Sequence, residues 1–311
     1  MAMGSADHYL AQNGPSAGTR LSLLRAGNIQ AEILPDRGMD IGRLWSEGVQ
    51  YAWTLPTGFT SPAPLSSSND WISVFGGGLL TTCGPENFGA ASKDGDHTVP
   101  THGSFSQIRF TIIEEQSTER GITLTGRGHY SHLFGDSWEI LRGITITSDS
   151  NVVVEDTLTN IGYRKQPVLM LYHVNLGGDF LSPQATISSE ADVTRYSSTP
   201  SFEDDWSTYG SALAVNEETV YVHSFPTPAH TTVSNPELRA QVTVSSDSLP
   251  HLFQWKFRRH DRFALGIEPA SASSLGGRTQ AAAGAPWLDP GFSWSHKLTI
   301  ALGKTADSAQ S

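Results

Sequence analysis

Four short islands of the 311-residue chain carry side chains able to move protons or grip polar ligands. The longest runs F-G-G-G-L-L-T-T-C-G-P-E-N-F-G from Phe75 to Gly89, and a polar spacer then leads to P-T-H-G, ending at Gly103. Glycine at this density marks backbone that must turn tightly or approach a ligand closely, since each glycine costs chain entropy. That backbone is studded with Cys83, Glu86, Asn87, His97 and His102. The second island, L-Y-H-V-N-L-G (Leu171–Gly177), closes an apolar run. Strand alternation there puts His173 and Asn175 on one face and Tyr172 on the other. The third, F-A-L-G-I-E-P-A (Phe263–Ala270), places Glu268 at the end of an apolar strand. A carboxyl in such a place is desolvated, its pKa rises, and it becomes suited to general base work. The fourth, L-P-D-R-G-M-D-I-G-R-L (Leu34–Leu44), offers Arg37, whose planar fork could bind ligand oxygens.

Each island also has a plain structural explanation. Arg37 could form a turn ion pair with Asp36 or Asp40. A lone strand histidine is more often a satisfied core group than a catalyst. Glu268 could bridge to Arg258, Arg259 or Arg262. Trp255, in F-Q-W-K-F, could stack on a sugar face at a cleft edge or simply fill the core. Cys83 reads as a small packing residue. His97, His102, His173 and Glu268 could together form a mixed nitrogen and oxygen metal site. Against that, no His-x-His strand motif is present, and H-T-V-P-T-H has a proline between its histidines. His129 and His132 fall on opposite strand faces and suggest no role.

The elements that must position these groups read as β almost throughout. Period-two alternation predicts strands over Asn28–Leu34, Gln107–Ile113, Gly121–Tyr130, Trp138–Thr147, Val152–Asn160, Val168–Asn175, Val220–Phe225, Arg239–Ser245, Leu252–Phe257, Phe263–Glu268 and Ser293–Leu302. No window shows a capped helical period. One hairpin can be registered by hand: Ser148-Asp149-Ser150 turns Trp138–Thr147 into the next strand, so Ile146 faces Val152, Ile144 faces Val154 and Ile140 faces Leu158. The same register sets Arg142 opposite Asp156 on the apolar face, which predicts a buried or cleft-lining ion pair. Leu55–Ser68, Thr194–Asp205 and Thr279–Asp289 read as long loops. Residues 1–18 and 304–311 lack apolar pattern and are expected to be flexible, leaving 19–303 as a single antiparallel β domain.

Composition narrows the partners. The formal charge of -11 argues against nucleic acid and anionic membrane surfaces, both of which need basic protein. Charged residues make up only 16% of the chain, so clefts must rely on neutral polar groups and backbone. Cys83 is the single cysteine, so no internal disulfide can form. Neither a secretory leader nor a membrane-length apolar run is present, and a cytoplasmic protein is expected. A large sheet also has an edge that a second copy could pair with, so a homodimer is one expectation.

Taken in order, P-D-R-G-M-D-I-G, G-G-L-L-T-T-C-G-P-E-N, T-H-G, L-Y-H-V-N-L-G and G-I-E-P resemble the aldose 1-epimerase, or galactose mutarotase-like, superfamily. The match is best to its bacterial branch described only as a domain of unknown function, and it covers roughly residues 20–302. The resemblance implies an all-β supersandwich of two large antiparallel sheets with an open carbohydrate cleft. It implies Glu268 as the base that deprotonates the anomeric hydroxyl and His173 as the acid that protonates the ring oxygen. His102 would hold the ring or the O1 side, Arg37 and Asn87 would bind hydroxyls, and Asn175 would support His173. No metal, nucleotide or redox cofactor is implied. The chain departs from the family pattern where G-P-E-N-F-G replaces an N-R-I element, and where Ser271 follows in G-I-E-P-A-S. The activity implied is anomer interconversion of a sugar. The alternatives are a carbohydrate-binding or sensing protein without turnover, and a metal-dependent isomerase or lyase.

Overall fold

The computed structural model describes residues 4–65, 67, 70–196, 203–214, 218–225, 229–259 and 262–305. Two antiparallel sheets face each other. In spatial order the first runs Ser5–Leu10, Arg20–Ala26, Ile29–Leu34, Asp40–Ser46, Leu80–Cys83, Leu171–Leu176, Arg262–Ala270, His251–Arg259, Glu218–Ser224 and Asp192–Arg195, with Val49–Gln50 attached at its side. The second runs Thr186–Ser189, His230–Asn235, Ala240–Ser246, Ser293–Lys304, Asn151–Asn160, Ser137–Thr147, Gly121–Ser131 and Thr111–Thr118. Among the described residues no helix is long and apolar enough to cross a membrane.

Alternation is what builds the core. Along Ser137–Thr147 the inward positions are Trp138, Ile140, Arg142, Ile144 and Ile146, while the intervening residues meet solvent. The predicted hairpin register holds in full, with Ile146 opposite Val152, Ile144 opposite Val154, Arg142 opposite Asp156 and Ile140 opposite Leu158. The first sheet answers with Leu24, Ile33, Ile41, Leu80, Val174 and Ile267 from its inner face. Period-two patterning therefore decides which face each strand buries.

One polar network crosses this apolar layer. Arg142 donates from Nε and Nη2 to both carboxylate oxygens of Asp156 at 2.8 and 2.6 Å. Its Nη1 donates across to Asp40 at 2.8 Å and to the Gly38 carbonyl at 2.9 Å. Tyr172 donates to Asp156 at 2.8 Å, and Thr82 donates to Asp40 from both its amide and its hydroxyl. Arg142, Asp156 and Asp40 are all buried. A buried ion pair survives only when its remaining hydrogen-bonding capacity is filled, and here it is.

Several sequence expectations are corrected. Ser5–Leu10, expected within a flexible terminus, pairs residue for residue with Arg20–Arg25. It is an edge strand with little buried surface, so backbone bonding and the contacts of His8 with Ser22 and Glu115 hold it without an apolar pattern. At the other end Lys304 closes a strand, and residues 306–311 lie outside the described residues. Thr279–Asp289 is not a loop throughout, because Arg278–Gly284 forms a helix rich in alanine, the strongest helix former. A second short helix, Asp70–Val74, was also unforeseen. Thr194 and Arg195 still belong to a strand, while 197–202 lie outside the described residues. Leu55–Leu65 is irregular, as expected. The strand expected over Gln107–Ile113 begins only at Thr111; before it, Ile108 and Phe110 pack into the core while bonding irregularly to Gly38 and Pro35.

Candidate active site

The outer face of the first sheet is where the chemistry converges. Leu171–Leu176 is flanked by Leu80–Cys83 and Arg262–Ala270, with Val174 opposite both Leu80 and Ile267 on the core side. Alternation then turns His173 and Glu268 to the opposite face. There they meet: His173 Nε2 lies 3.2 Å from Glu268 Oε1. The pair is buried, at 5% and 3% relative exposure, against the floor of a cavity of about 420 Å³.

Aromatic rings wall this cavity. Trp255 stands edge-on to His173 at 5.5 Å, and Trp53 stands edge-on to Trp255 at 6.2 Å. Phe75 lies 5.4 Å from His173 and stacks on Trp71 at 4.5 Å. Trp71 in turn covers the His102 ring at 4.4 Å, and the two histidine rings are 6.1 Å apart. His102 adopts a left-handed backbone, φ 57°, next to Gly103 at φ 70°, in a loop tied by Gly84 N to His102 O and His102 N to Gly89 O. Gly266 makes the close approach of Glu268 feasible: a methyl group there would sit 2.2 Å from Glu268 Oε1. This is the case in which glycine is required for space rather than for conformation.

Electrostatics follow from the loss of water. Burial pushes the Glu268 carboxyl well above its ordinary range, with the Glu218 carboxylate adding to the rise. Burial pulls His173 well below its ordinary value, His102 adds to the fall, and the Asn175 amide opposes it. Burial also lowers His102 to about 4. Both Nδ1 atoms, of His102 and His173, and Glu268 Oε1 are shielded from solvent with no hydrogen-bond partner in the protein. The His173–Glu268 contact is therefore one of proximity rather than of bonding geometry. Close, unsatisfied titratable groups in a concave pocket are what a reactive site needs and what a scaffold avoids.

The sequence-predicted residues divide. His102, His173, Glu268 and Trp255 line one cavity. Asn175 is buried beside them and donates to the carbonyls of Gly78 and His173, holding the strand rather than facing the cavity. Asn87 is buried too and donates to the carbonyls of Ala90 and Pro100, so it braces the segment carrying His102. Arg37 forms none of the ion pairs weighed above and does not reach this cavity. It donates to the Thr60 carbonyl and hydroxyl and to the Val74 carbonyl, stapling the two ends of the segment that carries Trp71. Asp36 instead binds Arg20, and Asp40 binds Arg142. Arg258 pairs with Asp204, leaving Glu268 without an arginine partner among the described residues. Cys83 is wholly buried in a small apolar cluster, and burial holds its thiol well above the ordinary value.

The metal alternative finds no support in placement. His97 stacks on His132 at 4.0 Å, away from the cavity, and among the described residues no group of three or more His, Cys, Asp or Glu is arranged to hold a metal ion. Residues the sequence reading missed are Trp53, Trp71, Phe75, Phe257 and Glu218, all lining the cavity. Their signal is faint. Trp71 sits in a one-turn helix whose only sequence mark is Ser67-x-x-Asp70, where Ser67 N donates to the Asp70 carboxylate.

Residues 16–302 match the model of the family described as Domain of unknown function (DUF4432). The chain belongs to this family. No curated protein matches it in sequence. Solved structures resemble it across nearly its whole length. A Klebsiella pneumoniae protein provisionally named aldose 1-epimerase aligns with a TM-score of 0.84 at 19% identity, covering 96% of this chain and 83% of that one. A galactose mutarotase-like protein from Clostridium acetobutylicum gives 0.66 at 13% identity, covering 97% and 99%. Galactose 1-epimerase from Lactobacillus acidophilus gives 0.66 at 11%, again covering 97% and 99%. The DUF4432 chain thus has the all-β sandwich of the mutarotase-like proteins. At these identities the likeness is one of fold.

Proposed function

We propose that this DUF4432 protein is an aldose 1-epimerase-like isomerase that interconverts the anomers of a small sugar by general acid and base catalysis. The observation that carries the reading is the His173–Glu268 pair: two buried titratable groups 3.2 Å apart, facing an aromatic-walled cavity. Opening a hemiacetal requires a proton taken from the anomeric hydroxyl and another given to the ring oxygen. Reclosure on the other carbonyl face reverses both steps.

The cycle starts from the arrangement that burial disfavours and passes through the one that burial favours. Glu268 protonated with His173 neutral, and Glu268 ionised with His173 protonated, contain the same number of protons. Desolvation favours the uncharged arrangement. Ring opening converts the charged arrangement into the uncharged one: Glu268 takes the hydroxyl proton while His173 gives its proton to the ring oxygen. The open-chain intermediate then stands against the arrangement the pocket favours, and ring closure restores the charged one. His102, held near 4 and uncharged, offers a neutral hydrogen-bonding group beside His173. Trp255 and the neighbouring rings supply flat faces for the C–H faces of a sugar. A positioned acid and base each contribute about 10²–10⁴-fold.

The test is anomer exchange, followed by NMR on a panel of free aldoses with wild type and Glu268→Gln. Exchange above the buffer rate, lost in the variant while sugar binding persists, is the expected result. Sugar binding without any acceleration would instead make the protein a carbohydrate-binding or sensing relative of the epimerases.

A further inference from the structure

The cleft's lining has a second property that the acid and base do not require. Beyond His102, His173 and Glu268, the polar side chains facing it are Thr101 and Glu218, and the remainder is aromatic or aliphatic. Among the described residues no lysine or arginine lines it. The segments 66–69, 197–202, 215–217, 226–228 and 260–261 contain none in sequence either. Arg262, at the far end of its strand opposite Arg259, stands six residues from Glu268, roughly 20 Å along an extended chain.

The neighbouring cations are committed elsewhere. Lys256, next to Trp255 in sequence, points away and binds Asp204 at 2.8 Å, as does Arg258 at 2.9 Å. Arg37 holds backbone carbonyls and, with Arg20 and Arg43, lines a separate cavity of about 450 Å³ together with residues 54–59. In contrast, Glu218 is exposed at the cleft and aimed. Its Oε2 accepts a 2.6 Å hydrogen bond from Trp255 Nε1, and Trp255 packs edge-on against His173. The carboxylate is thereby fixed to a ring that walls the reacting pair.

We infer that the cleft selects an uncharged sugar and that Glu218, fixed by Trp255, is the residue that turns anionic sugars away while accepting a sugar hydroxyl. The inference rests on the carbohydrate reading above. The physics is one of absence and presence together. A phosphate, sulfonate or carboxylate entering this cleft would exchange its water for aromatic rings, with no lysine or arginine among the described residues to receive it and the Glu218 carboxylate beside it. A neutral hydroxyl loses nothing comparable, and it gains a charged acceptor whose hydrogen bonds are stronger than those of a neutral one.

The experiment compares matched probes at fixed ionic strength. D-glucose, D-galactose and L-fucose are set against D-glucose 6-phosphate and D-glucuronate. Anomer exchange is read by NMR, and binding is read separately by quenching of tryptophan fluorescence. The expected result is that wild type binds and exchanges at least one neutral sugar at least about tenfold better than either anion. In Glu218→Gln that selectivity shrinks by about tenfold, with neutral sugars weakened only a few-fold. Neutral-selective binding without exchange in wild type would sink the epimerase reading and leave the substrate class standing. Three results would overturn the inference: anions accepted as well as neutral sugars, selectivity unchanged in Glu218→Gln, or no sugar bound at all. Should glucose 6-phosphate bind and lose affinity in Arg37→Gln, the arginine-lined cavity rather than Glu218 would be what reads the substrate's charge.

Discussion

Tyr172 and His173 are consecutive, and they serve two regions that handle burial in opposite ways. Tyr172 points between the sheets, where Arg142, Asp156 and Asp40 form a network in which one cation bridges two carboxyls and the polar atoms are bonded within the protein. His173 points to the cleft, where it and Glu268 are as deeply buried, yet Nδ1 of the one and Oε1 of the other have no partner. Both regions lie in low dielectric and both contain ionisable groups. They differ in whether the protein itself completes the hydrogen bonding. A completed network fixes one arrangement; an incomplete one leaves valence for a ligand and places two protonation states within reach of each other.

The comparison can be broken most forcefully at Arg142. Arg142→Met would leave Asp156 and Asp40 buried without their cation, and a loss of about 3–5 kcal/mol is expected in chemical denaturation. A loss under about 1 kcal/mol would show that the network is not needed to balance those charges. Glu268→Gln should do the converse: exchange falls by about 10²-fold or more, while stability is unchanged or higher. The gain has a definite sign. A carboxyl raised by folding stabilises the native state below its unfolded pKa, and that contribution is lost as pH rises toward the folded pKa. The advantage of Glu268→Gln over wild type should accordingly be absent in acid and appear as pH rises.

Glu86 sharpens the same point with a number. Burial raises its carboxyl to about 7 from an ordinary 4.5, with Ser104 only partly offsetting the rise. The variant Glu86→Gln is expected to match wild type near pH 4.5 and to exceed it by up to about 3 kcal/mol above pH 7, measured as urea midpoints across that range. A constant difference at all pH values would contradict the assignment. The smallest effect belongs to Arg37. Removing its staple in Arg37→Gln should cost about 1 kcal/mol. It should also raise the half-saturating sugar concentration a few-fold, because Trp71 sits on the stapled segment. If Arg37 instead bound sugar directly, affinity would fall far more than stability.

Much of this was legible in the chain before folding. The alternation of Trp138–Thr147 and its partner gave the register, and the register gave the Arg142–Asp156 pair, because period two leaves no freedom about facing. The same rule placed His173 on the face opposite Tyr172, and Glu268 at the end of its strand. The terminus at Ser5–Leu10 and the helix at Arg278–Gly284 were not legible. An edge strand is held by backbone bonds that any side chains permit, and a seven-residue helix is too short to show a period. Local pattern also could not tell which of several polar residues would share a cavity. Arg37 carried the chemistry of a ligand-binding group, yet in the fold it holds the carbonyls of Thr60 and Val74. Glu218 and Trp71 carried little signal, yet they line the cleft. Sequence determined the faces, since facing is a property of neighbours along one strand. Only the tertiary structure decided the company each side chain keeps, because that depends on strand order between residues distant in the chain, and strand order leaves no mark on the spacing within any one of them.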